Sequence, residues 1–277
     1  MGTCIFCGEP FGAGRKSSRE HIWPEWMHEL LPEQAPAMLT RGSTGTGLPN
    51  LEQLPMGGLL QKKVKPRVVC QPCNNGWMSE LETATKPILR PLILGEGKRL
   101  TRARQRTLAE WFCLKNMVLA YSAPEGARVA SDAERAAFCA DRTIPPRTQM
   151  WIGEHVGEEW GVRHLHYTLR RGSEPIISQP PYDPVDAFEI STLATGRVLF
   201  HLIRVPIAHI NPEPAGEFTQ RVRRIHPFVK PIDWPIGLTL TDKGAAGLAI
   251  SLLGWLATNG QLPAGMMVFP PRNPNAK

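Results

Sequence analysis

The chain has 277 residues, 42% of them apolar, with 25 Gly and 27 Pro. That is apolar material enough for a core and excludes wholesale disorder, while the Gly and Pro content predicts many turns and short elements. Lys and Arg outnumber Asp and Glu by 32 to 25, an excess that suits a polyanionic partner without requiring one.

Residues 1–94 form the first expected unit. Cys4-Ile5-Phe6-Cys7-Gly8 has the composition of a tight knuckle, with Gly8 free to adopt the turn conformation. No charged segment followed by an apolar run stands at the start, so no signal peptide is expected. The thiols are then reduced, in a cytoplasmic setting. Phe6 stands where a myristoylation signal needs Ser or Thr. Residues 17–26 should be extended and then turn, because Pro24 disfavours helix at Trp23. Residues 42–58 are rich in Gly, Pro, Ser and Thr and predict a long loop. A short strand is expected over 64–69. A helix over 74–85 follows, capped by Asn74 or Asn75 and limited by Pro87.

The basic stretch at 95–106 marks the expected boundary, and 95–277 reads as a mixed α+β domain. Apolar residues at helical spacing predict a long buried helix over 102–121, and Ser131 caps a second over 131–140. Strands are expected over 149–152, 164–170, 188–193, 198–207 and 217–222. Thr241-Asp242 opens a helix over 242–257. Its apolar run falls short of the roughly 20 residues that a membrane span needs, which makes it a core helix.

Two CxxC pairs, Cys4/Cys7 and Cys70/Cys73, are the strongest chemical signal. One turn of each presents two sulfurs to one tetrahedral ion, and two pairs complete a four-thiolate set suited to structural zinc. A redox dithiol, or two unrelated buried pairs, is the alternative. The 62 residues between the pairs exceed a usual zinc-ribbon insert, so a further element is expected inside the loop. Cys113 and Cys139 fall in helical patterns and read as plain core cysteines.

Inside that bracket lies Arg19-Glu20-His21-Ile22-Trp23-Pro24. An isolated Glu-His dipeptide is ordinarily a surface feature. Between two cysteine pairs it gains meaning, since a neutral imidazole can take a proton from water near pH 7 and a carboxylate prefers a hard cation. Trp23, Trp26 and Trp77 should pack the small unit, with stacking on exposed bases as the alternative. Arg15, Lys16 and Arg19 before the dipeptide, and Lys62, Lys63, Lys65 and Arg67 before Cys70, either grip phosphates or form a solvated face. Arg102 and Arg104 oppose the dipole at a helix start, a small cost that a phosphate partner would offset. Arg221, Arg223 and Arg224 form a third basic group.

The order CxxC, acid-His-Ile-x-Pro, CxxC-Asn resembles the HNH endonucleases of the ββα-metal, treble-clef-like type, in the subset with a four-cysteine zinc. The likeness covers roughly the first 90 residues. It implies structural Zn²⁺ on Cys4, Cys7, Cys70 and Cys73, and His21 as the general base acting on a DNA phosphodiester. Glu20, where the family commonly has Asp, and Asn74 would hold one catalytic Mg²⁺ or Mn²⁺. The implied products carry 5′-phosphate and 3′-hydroxyl ends. Asn75 is the alternative ligand, and Asn50 is the only Asn between His21 and Cys70 that could orient the base. Met78 stands where many relatives carry a further His or Asn. The domain at 95–277 would recognise the DNA target or hold a homodimer together, and no membrane is implied. The rival readings are a zinc-stabilised nucleic-acid-binding protein that cuts nothing and a zinc-held protein adaptor.

Overall fold

The computed structural model describes residues 2–12, 14–18, 23–30, 37–44, 50–55, 66–122, 129–157, 162–170, 187–205 and 212–258. Near the N-terminus, bridges at Thr3–Pro10 and Gly12–Arg15 flank the first cysteine pair. The Gly8 N–H closes the knuckle on the Cys4 carbonyl at 2.9 Å, with Gly8 at φ +73°, left-handed backbone that favours glycine. Strand β1 (Ser17–Ser18) follows, and after Pro24 comes the short helix α1 (Glu25–His28).

The expected loop at 42–58 is not a loop throughout. Its described residues belong to β2 (Ala37–Thr44) and β3 (Asn50–Pro55), an antiparallel pair. A sheet edge satisfies backbone groups whatever the side-chain preference, and this overrides the Gly-rich composition. Strand β4 (Val69–Cys70) then pairs antiparallel with β1, Ser17 opposite Cys70. The described end of the expected 64–69 strand is therefore extended.

The helix predicted over 74–85 is both earlier and longer. Helix α2 (Gln71–Cys73) starts with Cys70 as its cap and Pro72 in the first turn, where a missing N–H costs nothing. A wide turn at Asn74–Met78, broken at Gly76, leads into α3 (Ser79–Leu94). Asn74 is thus helical and ends α2 rather than capping a helix start, and Met78 stands before α3 instead, a correction to the expected cap. Pro87 and Pro91 lie inside α3. Each interior proline costs about 3 kcal/mol, but Ile88, Leu89, Leu92 and Ile93 are buried, each at about 1.5–3 kcal/mol in favour of the fold. Burial wins, and Gly95, at φ +73°, ends the helix instead.

Strand β5 (Lys98–Leu100) precedes α4 (Arg102–Leu119), whose Thr101 cap accepts from the Arg104 N–H. Every residue from Leu108 to Leu119 is buried, as expected for a helix between layers. Helix α5 (Asp132–Asp141) opens on a full capping box from Ser131 and Glu134. The strands β6 (Thr148–His155), β7 (Val162–Arg170), β8 (Ala187–Thr195) and β9 (Val198–Arg204) form the middle of an eight-stranded sheet.

The strand predicted at 217–222 is a further correction. Phe218 and Val222 fit a helical period as well as a strand, and α6 (Phe218–Arg221) forms there before β10 (Val222–His226). The Phe218 N–H bonds to the Ala215 carbonyl, and Thr219 Oγ1 to the Pro214 carbonyl. After β11 (Ile232–Trp234) and β12 (Thr239–Leu240), the helix α7 (Asp242–Thr258) starts at Thr241, which accepts from the Gly244 N–H. The main sheet has the order β10-β6-β9-β8-β7-β2-β3, with β12 beside β6, and β5 pairs with β11 in a separate ribbon. The β2–β3 hairpin, encoded between the cysteine pairs, therefore lies at an edge of this sheet, parallel to β7.

One apolar core runs from the cysteine cluster through α3 and α4 to β6, β8 and β9. Arg135 on α5 stitches it to the knuckle, its Nε donating to the Ile5 carbonyl at 3.1 Å. The protein is thus a mixed α+β structure with four clustered cysteines. Among the described residues no helix is long and apolar enough to cross a membrane.

Candidate metal centre and adjoining cleft

The β1–β4 ladder brings the cysteine pairs together. Gln71 N–H bonds to the Lys16 carbonyl and Ile5 N–H to the Val68 carbonyl, so the knuckle and the start of α2 share backbone bonds. The four sulfurs of Cys4, Cys7, Cys70 and Cys73 lie within 4.8 Å of one another, and all four cysteines are free thiols. Zinc–sulfur bonds of about 2.3 Å in a tetrahedron separate sulfurs by about 3.8 Å. The Cys7 and Cys70 sulfurs are 3.7 Å apart. The cluster fits a metal ion and is compatible with zinc.

Its surroundings act on the sulfurs in opposite directions: burial pushes the Cys7 and Cys73 thiols up, whereas Cys70 is lowered. The Cys70 N–H donates to Cys4 Sγ at 3.4 Å, and Arg15 Nη1 donates at 3.5 Å to the sulfurs of both Cys7 and Cys70. Burial pushes the Cys70 thiol up, but hydrogen bonds from the Cys73 backbone and the Arg15 guanidinium bring it down to about 7. Arg15, expected either to grip phosphates or to belong to a solvated face, directs its guanidinium at the cysteine sulfurs.

Beside the cluster is a cleft of about 270 Å³ lined by Pro24, Glu25, Trp26, Asn74, Asn75, Met78, Ser79 and Glu82. Asn74 enters it directly after Cys73, and its Nδ2 donates to Ser18 Oγ at 2.7 Å. Arg19, Glu20 and His21 lie outside the described residues, as do Lys63 and Lys65. Their flanks are described: Ser18 is bonded to Asn74, and Pro24 forms part of the cleft wall. Asn75 is exposed on the same cleft, and the buried Met78 also lines it.

Two cleft carboxylates escaped the sequence reading. Glu82 meets Lys115, whose side chain is only 1% exposed, at 3.5 Å. Glu25 stands on α1. The spacing of Asn74, Met78 and Glu82 at intervals of four was the available signal for Glu82.

The tryptophans pack. Trp23 and Trp26 are buried, while Trp77 meets Phe6 edge-on at 5.1 Å with the Arg142 guanidinium 4.0 Å from its ring. Cys113 is buried in α4 and Cys139 half-buried in α5. Among the other basic candidates, Arg67 is exposed, Arg104 donates to the Arg99 carbonyl at 2.6 Å, and Arg102 lies over the Phe228 ring at 5.5 Å. No family model matches the chain, and no curated protein or solved structure matches it either.

Proposed function

We propose that the chain is a metal-dependent endonuclease of the HNH type that hydrolyses DNA phosphodiester bonds, with an HNH module in residues 1–94. The observation that carries this reading is the position of Asn74. The residue after Cys73, the last cysteine of the cluster, lines an open cleft beside the four sulfurs, and its amide is tied to Ser18, two residues before Glu20. With Nδ2 donating to Ser18, its Oδ1 is left as the acceptor for a hard cation.

In this reading Cys4, Cys7, Cys70 and Cys73 hold structural zinc, and Glu20 with Asn74 holds one Mg²⁺ or Mn²⁺. That ion supplies positive charge against the phosphate and the leaving 3′-oxygen. His21 would take a proton from water, the resulting hydroxide would attack phosphorus, and the P–O3′ bond would break, the departing oxygen taking a proton from solvent water, to leave 5′-phosphate and 3′-hydroxyl ends. Arg19, Lys63, Lys65 and Arg67 would hold neighbouring phosphates.

The test is nicking of supercoiled plasmid with Mg²⁺ or Mn²⁺, with EDTA and His21→Ala as controls. The expected result is metal-dependent cleavage lost by at least 100-fold in His21→Ala, with zinc content and circular dichroism unchanged. Salt-sensitive DNA binding without cleavage by the native chain would establish the non-catalytic alternative instead.

A further inference from the structure

A second cleft, of about 570 Å³, opens on the far part of the chain between β10 and the turn that leads into β11. Its floor is apolar, with Trp151, Val222 and Ile232, all buried. Arg223, Arg224 and Lys230 stand at its rim. The Arg224 guanidinium lies 5.7 Å from the Trp151 ring and pairs with Glu213, the only carboxylate among the lining residues. Arg223 bonds through one guanidinium nitrogen to the Gln220 and Val222 carbonyls, which fixes its direction. Lys230 is exposed while its carbonyl is held by Gln105 Nε2 at 2.9 Å.

That last bond joins two basic segments more than a hundred positions apart. Gln105 belongs to α4, and the β5–β11 ladder sets Lys98 opposite Trp234 and Leu100 opposite Ile232. Arg102, at the start of α4, covers Phe228, two residues before Lys230. Arg99 is answered by Asp233 at 2.9 Å; Arg102 continues the cationic rim along the helix start. Beside them Val229 is 62% exposed, an apolar tip among cations. Like charges drawn together around an apolar-floored cleft repel one another, and a polyanion with flat apolar rings between its charges relieves that repulsion.

We propose that this cleft and the adjoining start of α4 form a second DNA-binding surface, in which Arg223, Lys230 and Arg102 contact backbone phosphates. It rests on the reading of the chain as a DNA-cutting enzyme for the choice of DNA, but not on any residue of the cutting site. The surface lies at the β10 end of the main sheet, and β3 ends the opposite side of that strand order.

The test is fluorescence anisotropy of the full chain with a labelled DNA duplex, in buffer without added divalent ion, across a series of salt concentrations. Arg223→Ala/Lys230→Ala should weaken binding about tenfold or more. It should also flatten the slope of log K against log salt by about 0.9 for each phosphate that the variant no longer neutralises. Glu213→Gln, which releases Arg224 from its carboxylate, should tighten binding, and this arm stands even if the double variant folds poorly. An affinity and slope unchanged in all variants would overturn the proposal, as would native protein that binds polyglutamate as tightly as DNA or does not bind DNA at all. Plasmid cleavage with variant-insensitive binding removes this surface alone. Variant-sensitive binding without cleavage removes the nuclease reading alone.

Discussion

Four thiolates around one divalent ion carry two uncompensated negative charges, and the side chain that answers them is Arg15, 3.5 Å from the sulfurs of both Cys7 and Cys70. It reaches one sulfur from each pair, so it ties the knuckle to β4 as well as offsetting charge. Hydrogen bonds to ligating sulfur lower the basicity of the thiolate and slow its loss by protonation. Arg15→Ala should therefore release metal to a chromogenic chelator at least tenfold faster than the native chain, with Arg15→Lys in between. Equal release rates would show that the guanidinium plays no part in holding the ion. The cysteines themselves were legible in the sequence because CxxC is a local pattern. Arg15 was not, since nothing in the spacing of residues 7, 15 and 70 says that they meet.

At the scale of elements, the end of α3 and the β8–β9 hairpin are locked together. Gly196, at φ +52°, sits in the two-residue turn, and a Cβ there would come within 2.6 Å of the Ile93 carbonyl. The Arg197 N–H donates to that same carbonyl at 2.9 Å. Gly196→Ala should cost more than about 1 kcal/mol, since it combines left-handed backbone with a backbone clash. A urea midpoint within error of the native value would refute this packing. Helices α4, α5 and α7 follow the sequence reading because long apolar periods, and the starts at Ser131 and Thr241, are local signals. Pro87 does not limit α3 as expected, because its cost is local whereas the burial of Leu89 and Leu92 is tertiary. The β2–β3 hairpin was missed for the same reason: its pairing partner, β7, is more than a hundred residues away.

Across the whole molecule, the cysteine cluster and the sheet share one apolar core. Arg135 binds the Ile5 carbonyl, and Trp77 meets Phe138 at 6.0 Å, so α5 rests on the knuckle from the other side. Metal bound only by the folded centre stabilises everything coupled to it. Stripping the metal with a strong chelator should lower the melting temperature seen by far-ultraviolet circular dichroism by about 10 °C or more, a few kcal/mol at about 2–4 °C each. A sheet that melts unchanged would mean that the centre folds on its own. By itself the sequence determined the two CxxC pairs, the mixed α+β class and the helices capped by Ser131 and Thr241, each of which depends on residues near one another in the chain. Only the tertiary structure decided where Asn74 and Arg15 point and which basic segments face a common cleft. It also decided where the hairpin between the cysteines pairs, because those arrangements are fixed by burial and backbone pairing between distant residues.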